Sequence, residues 1–578
     1  MPETILNSHS LEKLSSLADE LLMAKEHDEL KKFLDTHLGN HYTFEKSTDE
    51  AQFYYILGNC SQELFNYRNL KWFSDDLSHA VIFFRKALHL IQNLDFPTDE
   101  ELFLKSCIET NLGNNLSSQG RLLCCIPLWD SALSCKHNPV PIISKANNEL
   151  SLADSVYDPG HQYYHYFTAY NLITQGLDHL DLLYPEQKIA YSENSTLMNF
   201  KAWFEDNFSL ADFEHYDSYE ENFETRKQAD YLKWCGDNRL FINDLNDVCV
   251  SEIVYQDIMT LPSFSQKINI SLSMSDELMY HGNFDELKND YCYARFLIFS
   301  AKDIPSDDRH FFNNTFPHID DMAYTITNLK ASHYKSAFRT LFSIFDKIAY
   351  FINRFFDLNP IKNDRKIDFD SIFRELNSKK QWKPNNKLEN SNNFFLHALF
   401  YILKDIRDVN DSTAVHHLVD PDAMAFTDIR NAIEHRSLKI VDDFGYTLIH
   451  SDRNFRKINI DKINSDIESY NAQLQKLYEE IAIAKISKVD GLKEQLELQK
   501  EALCKDLERA ISKLNEKEKL SSHSVIIKES EFKSSLMTLM SLVRNSIMYL
   551  SLAIHLEQKN NLPDDGVLMM PKIVPLKY

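Results

Sequence analysis

Residues 426–438 read FTDIRNAIEHRSL and bring Arg430, Asn431, Glu434 and His435 within two helical turns. On a helix Asn431 and His435 stand at i and i+4 and share a face, and the long Arg430 side chain, one step round, can bend toward them. The set offers one small anion a cation, a hydrogen-bonding amide and an imidazole. Phosphoryl chemistry on RNA needs such groups: one takes the proton from a 2′-hydroxyl, and others steady the charge that builds on the phosphorane oxygens. An unperturbed imidazole, with a pKa of about 6.5, suits proton transfer near neutrality. No metal is required where the RNA supplies its own nucleophile. Arg-Asn with a histidine at this distance is expected by chance in roughly one such chain in twenty. The plainer alternative pairs Arg430 with Glu434 at i+4 and makes His435 a half-buried helix residue. The chain carries its own comparison: RNSIMY at 544–549 has the same Arg-Asn start, but Tyr549 stands where the histidine would be.

The elements that must position this motif read as helices. In HYKSAFRTLFSIFDKIAYFINRFF, Phe338, Leu341, Phe342, Phe345, Ile348, Ile352 and Phe355 recur at three-to-four spacing, an apolar stripe for a bundle core. NNFFLHALFYILKDI supplies a second bundle helix and SEFKSSLMTLMSLVRNSIMYLSLAIHL a last one, ending before Pro563. Between them, Ile463, Ile467, Tyr470, Leu474, Leu477 and Ile481 form a heptad that falters around SKVDGLK. It resumes through Leu496, Leu503, Leu507 and Leu514, the pattern of an antiparallel coiled-coil arm with Gly491 near its tip.

Toward the N-terminus, NLGNNLSSQGRLLCCIPLWDSAL puts Leu112 and Gly113 on one helix, Gly120 in a turn, and Cys125, Trp129 and Ala132 on the next. These are the small and large slots of a tetratricopeptide unit, in which small residues admit a close helix approach and an aromatic fills the groove. Leu57 and Gly58 repeat the first half, and Ala80, Phe84 and Ala87 the second, with an insertion of about ten residues relative to the 34-residue period. A third, degenerate pair lies in NNELSLADSVYDPGHQYYHYFTAYNLI. Such an array presents a concave surface to a peptide or protein partner, or else packs against the rest of its own chain. FEDNFSLADFEHYDSYEENFETR, which follows, lacks the glycine and fixed period of a calcium loop and reads as a solvated acidic connector.

Composition excludes several classes. Only 11 glycines occur in 578 residues, and neither GxGxxG nor GxxxxGK[ST] is present, which argues against dinucleotide and P-loop chemistry. The formal charge of −24 repels nucleic acid at long range and rules out a general nucleic-acid coat, though not a small local basic site. Nine cysteines, an odd number without a CxxC pair, read as free thiols in a reducing cytoplasm. No apolar run reaches the roughly 18–20 residues of a membrane span, and MPETILNSHSLEKL holds no secretory signal.

RNAIEH resembles the Arg-polar-x3-His signature of the HEPN superfamily (higher eukaryotes and prokaryotes nucleotide-binding), all-helical bundles that are often metal-independent ribonucleases. FRTLFSIFDKIAYFINRFF, WCGDNRLFINDLND and RNAIEHRSLKIV are together similar to the branch that joins HEPN to N-terminal tetratricopeptide repeats. The resemblance implies an all-α chain with three parts. Residues 1–200 would hold tetratricopeptide-like helical repeats, 201–320 an acidic connector and helical middle region, and 321–578 a HEPN-like bundle with a coiled-coil hairpin inserted at about 455–520. It carries Arg430, Asn431 and His435 over as catalytic residues, with Glu434 in support and neither metal nor cofactor. It further implies a homodimer in which the Arg and His of two subunits face one cleft, an RNA substrate, and a role in antiviral defence or toxin-like growth arrest. In HEPN toxins silenced by a partner nucleotidyltransferase, a Tyr two residues after the His receives the nucleotide. Here that position is Ser437, so this mode of control is not expected. Two alternatives stand beside the ribonuclease: a non-catalytic helical adaptor that binds proteins, and a metal-dependent hydrolase using His416 and His417 with Asp420 and Asp422. Adjacent histidines point to different sides of a helix, and the aspartates suit a helix N-terminus more simply.

Overall fold

The computed structural model describes the chain apart from residues 1–3, 39, 41, 69–71, 136, 263–273, 320–323, 357, 359–366, 375–382, 407–420, 488–489, 522–524 and 561–578. It is an all-α fold with two small pairs of strands, divided into two compact units that are discontinuous in sequence. The first comprises Met1–Phe299, Thr340–Thr427 and Thr538–Tyr578; the second comprises Ser300–Arg339 and Asp428–Met537.

In the first unit, strand β1 (Thr4–Leu6) pairs in parallel with β2 (Tyr42–Phe44). A succession of helices follows, each packed on the next: α1 (Ser8–Ala24), α2 (His27–Leu38), α3 (Ser47–Arg68), α4 (Asp75–Gln92), α5 (Asp99–Ser118), α6 (Ile126–Leu133), α7 (Val140–Ala153) and α8 (Pro159–Leu177). Local chemistry sets their starts. Ser74 caps α4 by accepting from the Asp76 N–H, and Thr98 and Glu101 form a reciprocal capping box at the start of α5. Two glycines are required by close helix packing. A Cβ on Gly58 of α3 would lie 2.6 Å from the Phe84 ring of α4, and one on Gly113 of α5 would lie 2.5 Å from the Trp129 indole of α6. Gly120, in the turn after α5, adopts φ +77° and lies against the Phe394 carbonyl, so it combines a left-handed backbone with a contact that leaves no room for a side chain.

These helices meet other parts of the same unit. The helix Phe394–Ile406 is buried from Phe395 to Leu403, and His397 stacks on Trp72 at a ring separation of 4.0 Å. From the long helix Glu529–Asn560, the Tyr549 hydroxyl accepts from the backbone N–H groups of Leu123 (2.9 Å) and Cys124 (3.2 Å). That helix is long and apolar enough to cross a membrane, but 78% of its apolar window is buried in the protein, as in a core helix. The acidic stretch after residue 200 packs as well: Phe204, Phe213 and Tyr216 are buried, and Phe213 stacks on Phe167, while Glu205, Asp206, Asp212 and Glu214 face solvent.

In the second unit, strand β3 (Leu438–Val441) pairs in parallel with β4 (Val525–Lys528), in the register Leu438↔Val525. Thr325 bridges to Val441 on the other side of β3, and the Ile326 N–H donates to the Ile440 carbonyl at 2.8 Å. Between β3 and β4 the chain runs out along Asp443–Ser487 and back along Asp490–Ser521, a hairpin whose two helices pack together. All the heptad residues from Ile463 to Leu514 are buried or half-buried, and Ile481 and Leu496 form a buried cluster with Leu477 packed against it. The hairpin is therefore a crossover between two parallel strands, a feature the helical periodicity did not announce. Below it, the rings of Tyr334 and Phe338 meet Phe532, and Lys330 pairs with Glu529 at 2.5 Å.

Candidate active site

The motif occupies the last two turns of the helix Pro421–His435. Ile429, Ala432 and Ile433 are buried and fix the helix to the core, which turns the polar residues outward. Arg430 and Asn431 are half-buried; Glu434 and His435 are exposed. The Arg430 Nη1 donates to the Asn431 Oδ1 at 3.2 Å. With its oxygen engaged, the Asn431 amide has its NH2 group left to donate outward. One helical turn on, His435 ends the helix, and among the described residues it takes no hydrogen-bond or ion-pair partner. The structure thus brings all four sequence-derived residues onto one helix end.

Two further cations stand there that motif reasoning missed. Arg339, on the helix Leu329–Phe355, donates from Nη2 to the Ile433 carbonyl at 2.9 Å and pairs through Nε with the Glu434 carboxylate at 3.2 Å. Lys335, one turn earlier, donates to the Leu438 carbonyl at 2.7 Å. Both satisfy carbonyls at or just past the helix C-terminus, where cations are favoured by the exposed C=O groups. Burial and the nearby Arg339 lower the Lys335 pKa. The available signal was the i, i+4 Lys-Arg pair in HYKSAFRTL, which faces the motif only after folding. Arg339 remains about half exposed (52%), so its guanidinium can still meet solvent or a ligand.

The second Arg-Asn helix makes the contrast. Arg544 is 2% exposed and wholly engaged. Its Nε donates to the Phe241 carbonyl and its Nη2 to the Asn243 carbonyl, each at 2.7 Å, and its Nη1 lies 2.7 Å from the Asp247 carboxylate. Nη1 also donates to the Asn545 Oδ1 at 3.0 Å, the same local bond that Arg430 makes to Asn431. One dipeptide therefore has one local geometry in two environments: RNSIMY pins the loop FINDLND inside the first unit, and RNAIEH ends at solvent.

FINDLND also anchors a second buried network. His165 is wholly buried, with one ring nitrogen 2.6 Å from Glu149 and the other 3.0 Å from Asp244, and His161 lies 2.8 Å from the same aspartate. Burial by itself would lower the His165 pKa, but the hydrogen bonds to Asp244 and Glu149 outweigh it and raise the value to about 10. Asp244 would be raised by burial, yet His161 and His165 hold it well below the usual carboxylate range. With His165 and Asp244 closed to solvent, these groups tie α7 and α8 to the loop.

Among the described residues no three His, Cys, Asp or Glu side chains gather in a way that would hold a metal ion. His416, His417 and Asp420 lie outside the described residues; Asp422 falls in the first turn of the motif helix.

Residues 272–474 match the model of the LA2681-like HEPN family, a span of a little over a third of the chain that contains the motif helix and most of the outgoing limb of the hairpin. The match supports a HEPN-type domain in this part of the protein. No curated protein and no solved structure matches the chain.

Proposed function

We propose that the protein is an endoribonuclease of HEPN type that cleaves RNA through attack of its own 2′-hydroxyl. The observation that carries the reading is the exposed His435 beside half-buried Arg430 and Asn431, within the HEPN-matching span and unlike the buried Arg544. His435 takes the 2′-hydroxyl proton as the 2′-oxygen attacks phosphorus. Arg430 and the Asn431 amide hold the phosphorane oxygens, and the 5′-oxygen leaves with a proton, giving a 2′,3′-cyclic phosphate. One imidazole cannot be base and acid in the same step. A second copy with its own Arg430 and His435 across the cleft supplies the other group and doubles the positive charge on the phosphate. No metal or cofactor takes part. Glu434 acts in support: its pair with Arg339 holds that cation at the rim. The helices α3–α8, as tetratricopeptide-like repeats, bring the nuclease to its target or restrain it in the cytoplasm, in a setting of antiviral defence or growth arrest. Their packing against Phe394–Ile406 and Glu529–Asn560 leaves their remaining surface to a protein or peptide partner.

The test incubates the purified full chain with total RNA in EDTA, beside Arg430→Ala and His435→Ala. Cleavage by wild type with cyclic-phosphate ends, lost in both variants, supports the reading. Cleavage that persists in both removes this site. A wild type that stays inactive even with a captured protein partner favours the adaptor.

A further inference from the structure

Arg339 is anchored on one edge of its guanidinium and open at the end of the fork. Its Nη2 donates to the Ile433 carbonyl and its Nε pairs with the Glu434 carboxylate, and these two nitrogens share one edge of the planar group. Nη1 and the second N–H of Nη2 take no partner among the described residues, and the side chain is half exposed. Capping the helix C-terminus uses only the first edge. An arginine held in this way keeps two parallel donors at a fixed place, which is the arrangement that binds a phosphate through two hydrogen bonds with little further ordering of the side chain.

Position ties this open fork to the motif. Glu434 follows Arg430 by four residues, so the two share a face of the helix and stand about 6 Å apart along its axis. Arg339, bound at Ile433 and Glu434, therefore lies one turn beyond Arg430. That interval is close to the step between successive phosphates of an extended strand. Arg436, directly after His435, is exposed just past the helix end, and its guanidinium takes no hydrogen bond or ion pair among the described residues. Arg339, Arg436 and the motif from Arg430 to His435 all belong to the second unit.

We infer that Arg339 and Arg436 form a second phosphate subsite, which holds the RNA phosphate next to the one that is cleaved. The inference rests on the ribonuclease reading for what occupies Arg430, Asn431 and His435. The scissile phosphate lies at those three residues, and its neighbour lies in the Arg339 fork with Arg436 beside it. Contacts of this kind fix the register of a strand without reading its bases. The substrate is therefore RNA with at least two successive phosphates, and a dinucleoside monophosphate is a poor one.

Fluorescence anisotropy of a labelled, mixed-sequence 2′-O-methyl RNA decamer, titrated with the full chain across a salt series, tests the subsite without cleavage, because the methyl group removes the nucleophile. Arg339→Ala and Arg436→Ala each weaken binding roughly tenfold. Each also lowers the slope of log affinity against log salt by about 0.7, the share of one phosphate contact on a single strand. Weaker binding at an unchanged slope marks a structural role alone and overturns the inference, as does a folded wild type that does not bind the decamer. Should Arg339→Ala fail to fold, Arg436→Ala, at an exposed residue, decides. With cleavable RNA in EDTA, both variants raise KM more than they lower kcat. Wild-type cleavage whose KM neither variant changes overturns the subsite and leaves the ribonuclease reading in place. Salt-dependent binding through both arginines in a chain that cuts no RNA supports the subsite and counts against that reading.

Discussion

The two Arg-Asn helices allow a test in which stability and activity separate. Replacing Arg544 by Ala strands the carbonyls of Phe241 and Asn243 and leaves Asp247 buried without its 2.7 Å partner. Each stranded carbonyl costs about 1–3 kcal/mol, and breaking a buried ion pair about 3–5 kcal/mol. These losses do not add, because burial already pushes the Asp247 pKa up against the pull of Arg544 and Arg239, and without Arg544 the carboxyl can take a proton. A loss of about 4 kcal/mol is the expected outcome, equivalent to roughly 4–5 °C in melting temperature for a unit of this size at about 2.1 cal/mol/K per residue. Arg430→Ala removes a half-buried side chain at a solvent-facing helix end and costs about 1–2 kcal/mol, less than Arg544→Ala. In RNA cleavage the order reverses. Arg430→Ala loses roughly a hundredfold or more, as removal of one charge-stabilising donor does, and the surviving folded Arg544→Ala retains its rate per molecule. Melting curves by circular dichroism and cleavage in EDTA, both on the full chain, give the two readouts. Equal destabilisation by the two substitutions would refute the assignment of one arginine to packing and the other to chemistry.

The His165 cluster sets a pH dependence of stability. Since the folded value of about 10 lies above the unfolded value of about 6.5, its contribution is complete below pH 6.5 and fades as pH climbs toward 10. Urea unfolding at pH 6 and pH 9 therefore shows a loss of a few kcal/mol at the higher pH, and His165→Gln, less stable at pH 6, flattens the dependence; an unchanged slope in the variant rejects the cluster as its source. Asp244, depressed, gives stability above its unfolded value of about 3.9 that acid removes as pH falls through its folded value. Gly113→Ala presses a methyl onto Trp129 and lowers the stability of the first unit by about 1–3 kcal/mol, read by tryptophan fluorescence, with a silent result excluding the close approach. Ile481→Asp, in the buried cluster of the hairpin, speeds amide exchange along Asp443–Ser521 and leaves the Gly113–Trp129 region protected; loss of protection in both regions argues against an independently melting arm.

Much of the architecture is visible in short-range pattern. The heptad from Ile463 to Leu514 and the stripe from Phe338 to Ile352 mark buried helix faces because helical periodicity is local, and every residue in them is buried or half-buried. Gly58 with Phe84 and Gly113 with Trp129 were legible for the same reason: a missing side chain and a large ring at matching places imply one groove. The strands were not legible. Leu438–Val441 and Val525–Lys528 are four residues each, and their pairing reaches across the whole hairpin.

At the candidate site local sequence sets the residues and their helical spacing, and so the chemistry open to Arg430, Asn431 and His435. It could not tell the two Arg-Asn pairs apart, since both make the same bond between neighbours. Tertiary structure decided that. Arg544 is buried by carbonyls some three hundred positions away, and His435 ends a helix at solvent with Arg339 beside its last turn. Exposure and the charges around a side chain come from segments distant in the chain, and no local pattern carries them.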